Sequence, residues 1–277
     1  MMFDVLLPMV LFLVTAATLY IHSKYEMRVE SIFEERKLDY RYAVILVVAT
    51  GIMASALLLI PDKALIIFYM SAYSLLLFLF TYLVAPKWYL AFLPPALFIT
   101  LYFLYKDTYL WNIAQPPHIP FLLSFFAIIF AICVSVYLGS LFTWKTTAVF
   151  VVLITIMDIV QVLITRHMVE SGTRVVEELQ LPVMIVLPTF PHMGELSLLG
   201  LGDVFLSGLL SIQTAQKYGR KLGFASAITI AVASFIFQTV LLNFNVRAFP
   251  ATVIVISGWL ITLAAQHLYQ SSRLKHG

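Results

Sequence analysis

The sequence predicts an all-α polytopic membrane protein with about nine transmembrane helices. Hydrophobic residues make up 62% of the 277 residues, and charged residues make up only 11%. A soluble domain could not cover so large an apolar surface with so few charges. The apolar residues also fall into long runs of about 20, which is the length that an α-helix needs to cross a bilayer. We therefore expect a single transmembrane domain over residues 1–277, surrounded by lipid.

The first part of the chain, residues 1–165, contains six apolar runs that predict spans one to six. Residues 22–41 mix basic and acidic side chains, which predicts a solvated, partly helical first loop. In the fourth run, Pro94-Pro95 is expected to kink the helix, because proline removes a helix hydrogen bond. The six predicted spans are residues 3–21, 42–60, 64–84, 88–105, 121–142 and 146–165.

The next part, residues 166–195, is predicted to be a loop that holds a re-entrant or interfacial segment. Its apolar stretch, residues 181–190, is too short to cross a bilayer and is interrupted by Pro182 and Pro188. Spans seven to nine are predicted within residues 196–277, and they begin near residues 196, 222 and 248.

The distribution of basic residues predicts the orientation. With nine spans, 12 of the 17 Lys and Arg residues lie on the side that holds the first loop and the C-terminus. Cytoplasmic loops carry the excess of Lys and Arg, so we expect the N-terminus outside and the C-terminus in the cytoplasm. The sequence has no basic patch or stripe of the kind that binds nucleic acid, so no nucleic-acid partner is expected.

Two aspartates inside apolar runs predict the functional site. Asp158 lies in the sixth run and Asp203 lies in the seventh. A carboxylate inside a membrane is costly and rare, which makes each of them a candidate for function. Each lies roughly seven residues from the loop that joins their spans, about 10 Å along a helix. We therefore expect both carboxyl groups at a similar depth, in the outer half of the membrane.

A pair of carboxyl groups at one site is suited to hydrolysing a peptide bond. Two carboxyl groups held close in a medium of low dielectric share one proton, which leaves one base and one acid. The base activates a water molecule and the acid protonates the carbonyl oxygen of the substrate. The sequence therefore predicts an aspartic endopeptidase, and it leaves open which aspartate has which role.

Polar side chains at helical spacing continue the face of each aspartate. We expect these two faces to meet around water, with residues 181–190 as a mobile cover. Small residues in membrane helices also serve close packing, and packing is the alternative for the residues that follow Asp203. The polar faces hold Thr155, Gln161 and Thr165 beside Asp158, and Ser207, Ser211 and Thr214 beside Asp203.

Three motifs resemble those of the presenilin and signal peptide peptidase family of intramembrane aspartyl proteases. They are Asp158 in its span, Gly200-Leu201-Gly202-Asp203, and Pro250-Ala251-Thr252 near the start of the last span. The resemblance implies that Asp158 and Asp203 are the catalytic pair. It also implies substrate-binding roles for Gly200, Leu201, Gly202, Pro250, Ala251 and Thr252. The chain departs from the family at Met157, where the family has Tyr, and at Thr252, where it has Leu.

The resemblance further implies what the protein acts on. The substrates would be transmembrane proteins or signal peptides, cleaved within or beside their membrane-spanning segments. The predicted orientation is that of signal peptide peptidase, which favours substrates with a cytoplasmic N-terminus. Two roles remain open for Pro250. It could form a wall of the site, or it could be an ordinary proline in the first turn of a helix.

Two other functions remain open at the level of sequence. One is a secondary transporter coupled through its carboxylates, which internal repeats would favour and the sequence does not show. The other is a prepilin-type peptidase with the same Gly-x-Gly-Asp motif, which has fewer spans and a Lys where this chain has Phe205. No metal, nucleotide or redox cofactor is expected, because Cys133 is the single cysteine and a dinucleotide fingerprint is absent. The oligomeric state is open, a homo-oligomer included.

Overall fold

A computed structural model describes residues 3–33, 37–112, 120–165, 170, 172, 174–191, 196–244, 246 and 249–276. Over these residues the chain is mostly helical and has one small antiparallel sheet. Its helices are α1 (Leu6–Phe33), α2 (Tyr40–Ala56), α3 (Asp62–Val84), α4 (Trp88–Ala91), α5 (Leu93–Tyr105), α6 (Phe121–Leu141), α7 (Trp144–Ile159), α8 (Leu201–Tyr218), α9 (Arg220–Asn243) and α10 (Ala251–His276). Its strands are β1 (Met184–Pro188) and β2 (Leu196–Gly200), and π-helical turns occupy Val160–Ile164 and Arg174–Glu178.

Seven helical stretches in the described part of the chain are long and apolar enough to cross a membrane. They lie in α1, α3, α4 with α5, α6, α7 with the π-helical turn that follows it, α9 and α10. The prediction of a helical, multi-pass membrane protein is confirmed at this level. Two further helices stand apart from the seven: α2 is apolar but has only 17 residues, and α8 has 18 residues and a more polar composition.

Helix α8 lies at the centre of the bundle. Helices α1, α6, α9 and α10 pack around it, and every residue from 206 to 214 is buried. A helix enclosed by other helices presents no face to lipid, so it can carry polar side chains without exposing them to hydrocarbon. Close packing is visible at Gly208, where an added Cβ would lie only 2.7 Å from Ser135 Oγ of α6. Enclosure therefore explains the lower hydropathy of α8.

A second, largely aromatic core lies among α3, α5 and α6. The rings of Tyr73 and Phe130 stack with their centroids 4.0 Å apart, and Trp111 is fully buried nearby. Trp111 Nε1 donates to the carbonyl oxygen of Gln180 at 2.7 Å, and the Tyr102 hydroxyl donates to the carbonyl oxygen of Leu179 at 2.9 Å. These two hydrogen bonds fix the segment that leads into β1.

Residues 184–188, within the segment predicted to be re-entrant or interfacial, form a strand that the sequence analysis did not predict. Strand β1 pairs with β2 in an antiparallel register that sets Met184 opposite Gly200 and Pro188 opposite Leu196. On its other edge, Val186 exchanges hydrogen bonds with Ser124 Oγ of α6. Irregular backbone among apolar helices would leave its polar groups unpaired, and pairing into a hairpin satisfies them.

The ends of three predicted spans also differ from expectation. Helix α1 continues to Phe33, so His22, expected in a solvated loop, is buried. Helix α8 begins at Leu201 because residues 196–200 form β2. The chain breaks between α4 and α5 at Phe92, so Pro94-Pro95 lie in the first turn of a helix, where a proline removes no hydrogen bond.

Candidate active site

The structure brings Asp158 and Asp203 together at one end of the bundle. Asp158 is the second-last residue of α7 and Asp203 is the third residue of α8. The two helices are in contact, and the ring of Phe150 meets the ring of Phe205 edge-on with centroids 6.1 Å apart. The carboxyl groups are close enough for the charge of Asp158 to act on Asp203. The expected depth of seven helical residues is wrong for Asp203, because only Leu201 and Gly202 precede it in α8.

Asp158 is buried and is held by Thr252, the second residue of α10. Thr252 Oγ1 donates to Asp158 Oδ2 at 2.6 Å, and the backbone N–H of Thr252 donates to the same oxygen at 3.3 Å. Amide groups in the first turn of a helix have no partner within the helix, so this one is free to bind a carboxylate. The hydroxyl therefore provides the shorter of the two hydrogen bonds to Asp158. A leucine in its place would leave only the backbone donor.

Asp203 has different surroundings. No residue that the structure describes donates a hydrogen bond to its carboxylate, and its side chain is partly exposed. Two glycines precede it in the chain, and they have different effects on the space around its carboxyl group. A Cβ added at Gly200 would lie 2.9 Å from Asp203 Oδ2, whereas a Cβ added at Gly202 would meet no atom within 4 Å. Gly200 therefore makes room for the carboxyl group itself, and Gly202 borders open space beside it.

The other residues of the predicted motifs lie at helix starts. The Leu201 N–H donates to the Val183 carbonyl at 3.0 Å, which continues the hairpin, and the Leu201 side chain packs against both cores. Pro250 is buried and directly precedes α10, and its carbonyl accepts from the Val253 N–H at 3.2 Å. Ala251 is partly buried in the first turn. Leu201 and Pro250 thus set the positions of Asp203 and Thr252.

Asp4 is a third buried carboxylate at this end, and the sequence analysis gave it no role. Its Oδ1 accepts from the backbone N–H groups of Leu6 at 3.0 Å and Phe190 at 3.1 Å. Its Oδ2 accepts from Ser197 Oγ at 2.7 Å and from Gln238 Nε2 at 3.4 Å. Asp4 therefore joins α1, both arms of the hairpin and α9. The sequence did contain a signal for Asp4, because it is a lone carboxylate in the first apolar run, and a carboxylate in such a run is a candidate for a specific role.

The polar face that follows Asp203 serves packing. Ser207 Oγ shares a hydrogen bond of 2.9 Å with Thr15 Oγ1 of α1, and Thr214 Oγ1 accepts from Trp259 Nε1 of α10 at 2.9 Å. The expectation that this face meets the Asp158 face around water is wrong for Ser207 and Thr214, because their hydroxyl groups contact α1 and α10. Ser211 Oγ is buried and has no hydrogen-bond partner among the described residues. The packing alternative holds for Ser207 and Thr214.

The residues around Asp158 contact α2. Gln161 Nε2 donates to the Gly51 carbonyl at 3.0 Å, and a Cβ added at Gly51 would lie 3.0 Å from Met157 Sδ. Met157 therefore fills the space that Gly51 leaves. The π-helical turn Val160–Ile164 directly follows, and such turns often occur at functional sites. Gln161 supports the helix that carries Asp158 and does not face α8.

No protein-family model matches this chain, and no curated protein matches it. Within the described ranges, no three His, Cys, Asp or Glu side chains are grouped so that they could hold a metal ion. The fold and the site together define a helical protein of multi-pass membrane type, in which two aspartates meet beside a β-hairpin.

Proposed function

We propose that this protein is an intramembrane aspartyl protease of the presenilin and signal peptide peptidase type. The observation that carries the proposal is the meeting of Asp158 and Asp203, from the helices α7 and α8, at the end of a β-hairpin. Carboxylates inside a membrane are retained where they have a function. Paired carboxyl groups supply both the base and the acid that hydrolysis of a peptide bond needs.

The hydrogen bonds of the two aspartates favour one division of roles. Two donors from Thr252 stabilise the ionised form of Asp158, and no described residue does so for Asp203. In the free enzyme the shared proton then resides on Asp203. Asp158 takes a proton from the attacking water, and Asp203 donates its proton to the carbonyl oxygen of the scissile bond.

The hairpin offers the substrate a partner for its backbone. The sheet has two described strands, so the outer edge of β2 carries no further strand, and Leu196 and Leu198 are 44% and 50% exposed along it. A helical substrate must unwind before its peptide bond can react, and extended backbone in lipid needs a hydrogen-bonding partner. An unwound segment that adds to β2 would run toward Gly200 and into the open space at Gly202.

The same proposal includes nine spans and an orientation. Helix α2 and the enclosed helix α8 would be the two spans beyond the seven apolar stretches, since the 18 residues of α8 cover about 27 Å at ~1.5 Å per residue. The N-terminus would lie outside and the C-terminus in the cytoplasm, as the basic residues indicate. Asp158 and Asp203 would then lie in the outer half. Substrates with a cytoplasmic N-terminus, such as type II proteins and remnant signal peptides, would enter in the direction that β2 accepts.

A cleavage assay tests the activity. Purified protein in detergent is incubated with a fluorescent single-span peptide, with and without a transition-state analogue that inhibits aspartyl proteases, and the products are mapped by mass spectrometry. We expect cuts within or beside the apolar segment, and we expect the inhibitor to abolish them. An absence of cleavage, together with uptake of a solute that depends on a proton gradient in proteoliposomes, would instead favour a carboxylate-coupled transporter.

Cysteine labelling tests the orientation. In a Cys133→Ala background, Lys63→Cys in the first turn of α3 and Gly277→Cys at the C-terminus probe opposite sides of the predicted topology. An impermeant reagent added to intact cells should label residue 63 and leave residue 277 unlabelled until the membrane is opened. The reverse labelling pattern would show the opposite orientation in the membrane, and the predicted substrate preference would then be reversed. Gly277 lies outside the described residues.

A further inference from the structure

A cavity of about 170 Å³ lies among α1, α8 and α9, at the end of α8 remote from Asp203. It is far larger than the ~10–15 Å³ that one water molecule requires. The cavity begins some 12 residues along α8 from Asp203, about 18 Å at 1.5 Å per residue. It therefore has no part in the aspartate site. Its lining is Leu19, His22, Ser23, Ala215, Gln216, Gly219, Arg220 and Phe224.

His22 is the unexplained group in this cavity. Its side chain is only 4% exposed, and its Nε2 has no hydrogen-bond partner among the described residues. A buried polar atom left without a partner costs free energy, and native structures contain few of them. The atom belongs to a residue that lines a cavity, so a ligand in the cavity is the partner that would satisfy it. Nε2 donates a hydrogen bond in the tautomer that carries its proton there, and the ligand atom is then an acceptor.

The charges around the cavity specify an anionic acceptor. Arg220 lines it, and its positive charge acts on His22. Helix α9 begins at Arg220 and runs for 24 residues, and Gly219 before it provides no side-chain cap for the first amide groups. The start of such a helix carries partial positive charge and attracts anions. None of the described residues that line the cavity is acidic.

The position of the cavity indicates where the anion comes from. It opens at the ends of membrane-crossing helices, where lipid headgroups lie. Phe224 is 38% exposed at the same opening, which offers an apolar contact for acyl chains. Lys24 is exposed nearby on α1, and basic residues at this level attract anionic lipids.

We propose that this cavity binds the phosphate group of an anionic phospholipid. His22 Nε2 and the Arg220 guanidinium donate to the phosphate oxygens, and the first turn of α9 adds its partial charge. The Leu19 and Phe224 side chains contact the lipid tails. The site joins α1 to the central helix, so an occupied site holds together the helices that enclose α8. The proposal does not depend on a protease activity.

Binding is measured with phosphatidylglycerol as the probe. Full-length protein in dodecyl maltoside micelles receives matched additions of phosphatidylglycerol, phosphatidylcholine or inorganic phosphate, and bound lipid is counted by native mass spectrometry while unfolding is followed on heating. We expect phosphatidylglycerol to bind and to raise the melting temperature, with little effect of the other two. Equal stabilisation by inorganic phosphate would show a site for a soluble anion and overturn the lipid assignment.

Two variants with the same change of charge locate the site. Arg220→Gln removes a donor from the cavity, whereas Lys221→Gln removes the same charge from the adjacent exposed residue that does not line it. We expect Arg220→Gln to weaken phosphatidylglycerol binding about tenfold or more, and Lys221→Gln to leave it within about twofold. Equal losses would mean general attraction to a basic surface and would overturn the site.

His22→Phe provides the second measurement. It keeps a ring of similar size and removes the nitrogen, so the lipid-free variant should fold and should melt no lower than wild type because a buried unpaired atom is gone. Its affinity for phosphatidylglycerol should fall about tenfold. Wild-type affinity in this variant would show that His22 does not contact the phosphate and would overturn the proposal.

Discussion

Asp4 and the pair formed by Asp158 and Asp203 are buried carboxyl groups at the same end of one bundle, and their surroundings are opposite. Asp4 is fully buried and accepts hydrogen bonds from four donors on α1, on the segments that flank the hairpin turn and on α9. Asp158 accepts hydrogen bonds from a single residue, and Asp203 accepts none from the residues that the structure describes. The fully bonded group has no capacity left for a substrate.

Under the proposed function, the difference separates a structural carboxylate from reactive ones. Donors that surround a carboxylate stabilise its charge and fix its position, which suits a group that joins three elements. Two carboxyl groups with few donors, set side by side, compete for one proton and can pass it to another molecule. Asp4 thus holds the hairpin in place, and the hairpin leads into the helix that carries Asp203.

The largest expected effect follows from removing either member of the pair. Asp158→Asn and Asp203→Asn should each lower cleavage of a single-span peptide by about 10³-fold or more, because a lone carboxyl group cannot act as base and acid together. Both variants should remain folded, with a melting temperature equal to or above that of wild type, since a buried charge is costly. Substantial turnover in either variant would refute the catalytic pair.

Asp4 should respond in the opposite way. Asp4→Ala leaves buried donors on Leu6, Phe190 and Ser197 unpaired, and we expect it to reduce the free energy of unfolding by about 3 kcal/mol. Asp4→Asn keeps one acceptor oxygen and should lose less. Thermal unfolding in detergent measures both, beside Asp158→Asn as the matched variant. An Asp4→Ala protein as stable as Asp158→Asn would remove the distinction between the two kinds of carboxylate.

Thr252 allows a finer test of the reactive pair. Thr252→Val keeps the branched shape and removes the hydroxyl that donates to Asp158, and a hydrogen bond to a charged group is worth about 1.5–3 kcal/mol. We expect kcat/KM to fall about tenfold. Thr252→Ser retains the donor and should stay close to wild type. If the Val and Ser variants were equally active, the hydroxyl would have no part in holding Asp158.

The smallest effects should come from the two glycines beside Asp203. A Cβ at residue 200 meets the Asp203 carboxyl group, so Gly200→Ala should displace it and lower kcat about threefold. A Cβ at residue 202 meets nothing in the free protein, so Gly202→Ala should leave kcat unchanged and raise KM about threefold where the substrate passes. Steady-state kinetics on one peptide separates the two. The same change of kcat in both variants would contradict their different roles.

The sequence predicted the elements whose cause is local. Long apolar runs specify membrane-crossing helices by their own length and composition, and seven of them lie close to where they were expected. The hairpin escaped prediction because a short apolar segment has several ways to satisfy its backbone, and the choice depends on what lies beside it. Strand β1 pairs with β2 on one edge and forms hydrogen bonds with Ser124 of α6 on the other.

By itself the sequence determined the class of protein and the two aspartates, because both follow from the cost of placing a charge or a polar backbone in hydrocarbon. Only the tertiary structure decided their partners. Thr252 is 94 residues from Asp158, and Ser197 is 193 residues from Asp4. Spacing along a chain cannot reveal contacts at such separations, since helix packing brings those atoms together. The same packing buries His22 against α8 and α9 and turns a residue of an expected loop into the lining of a cavity.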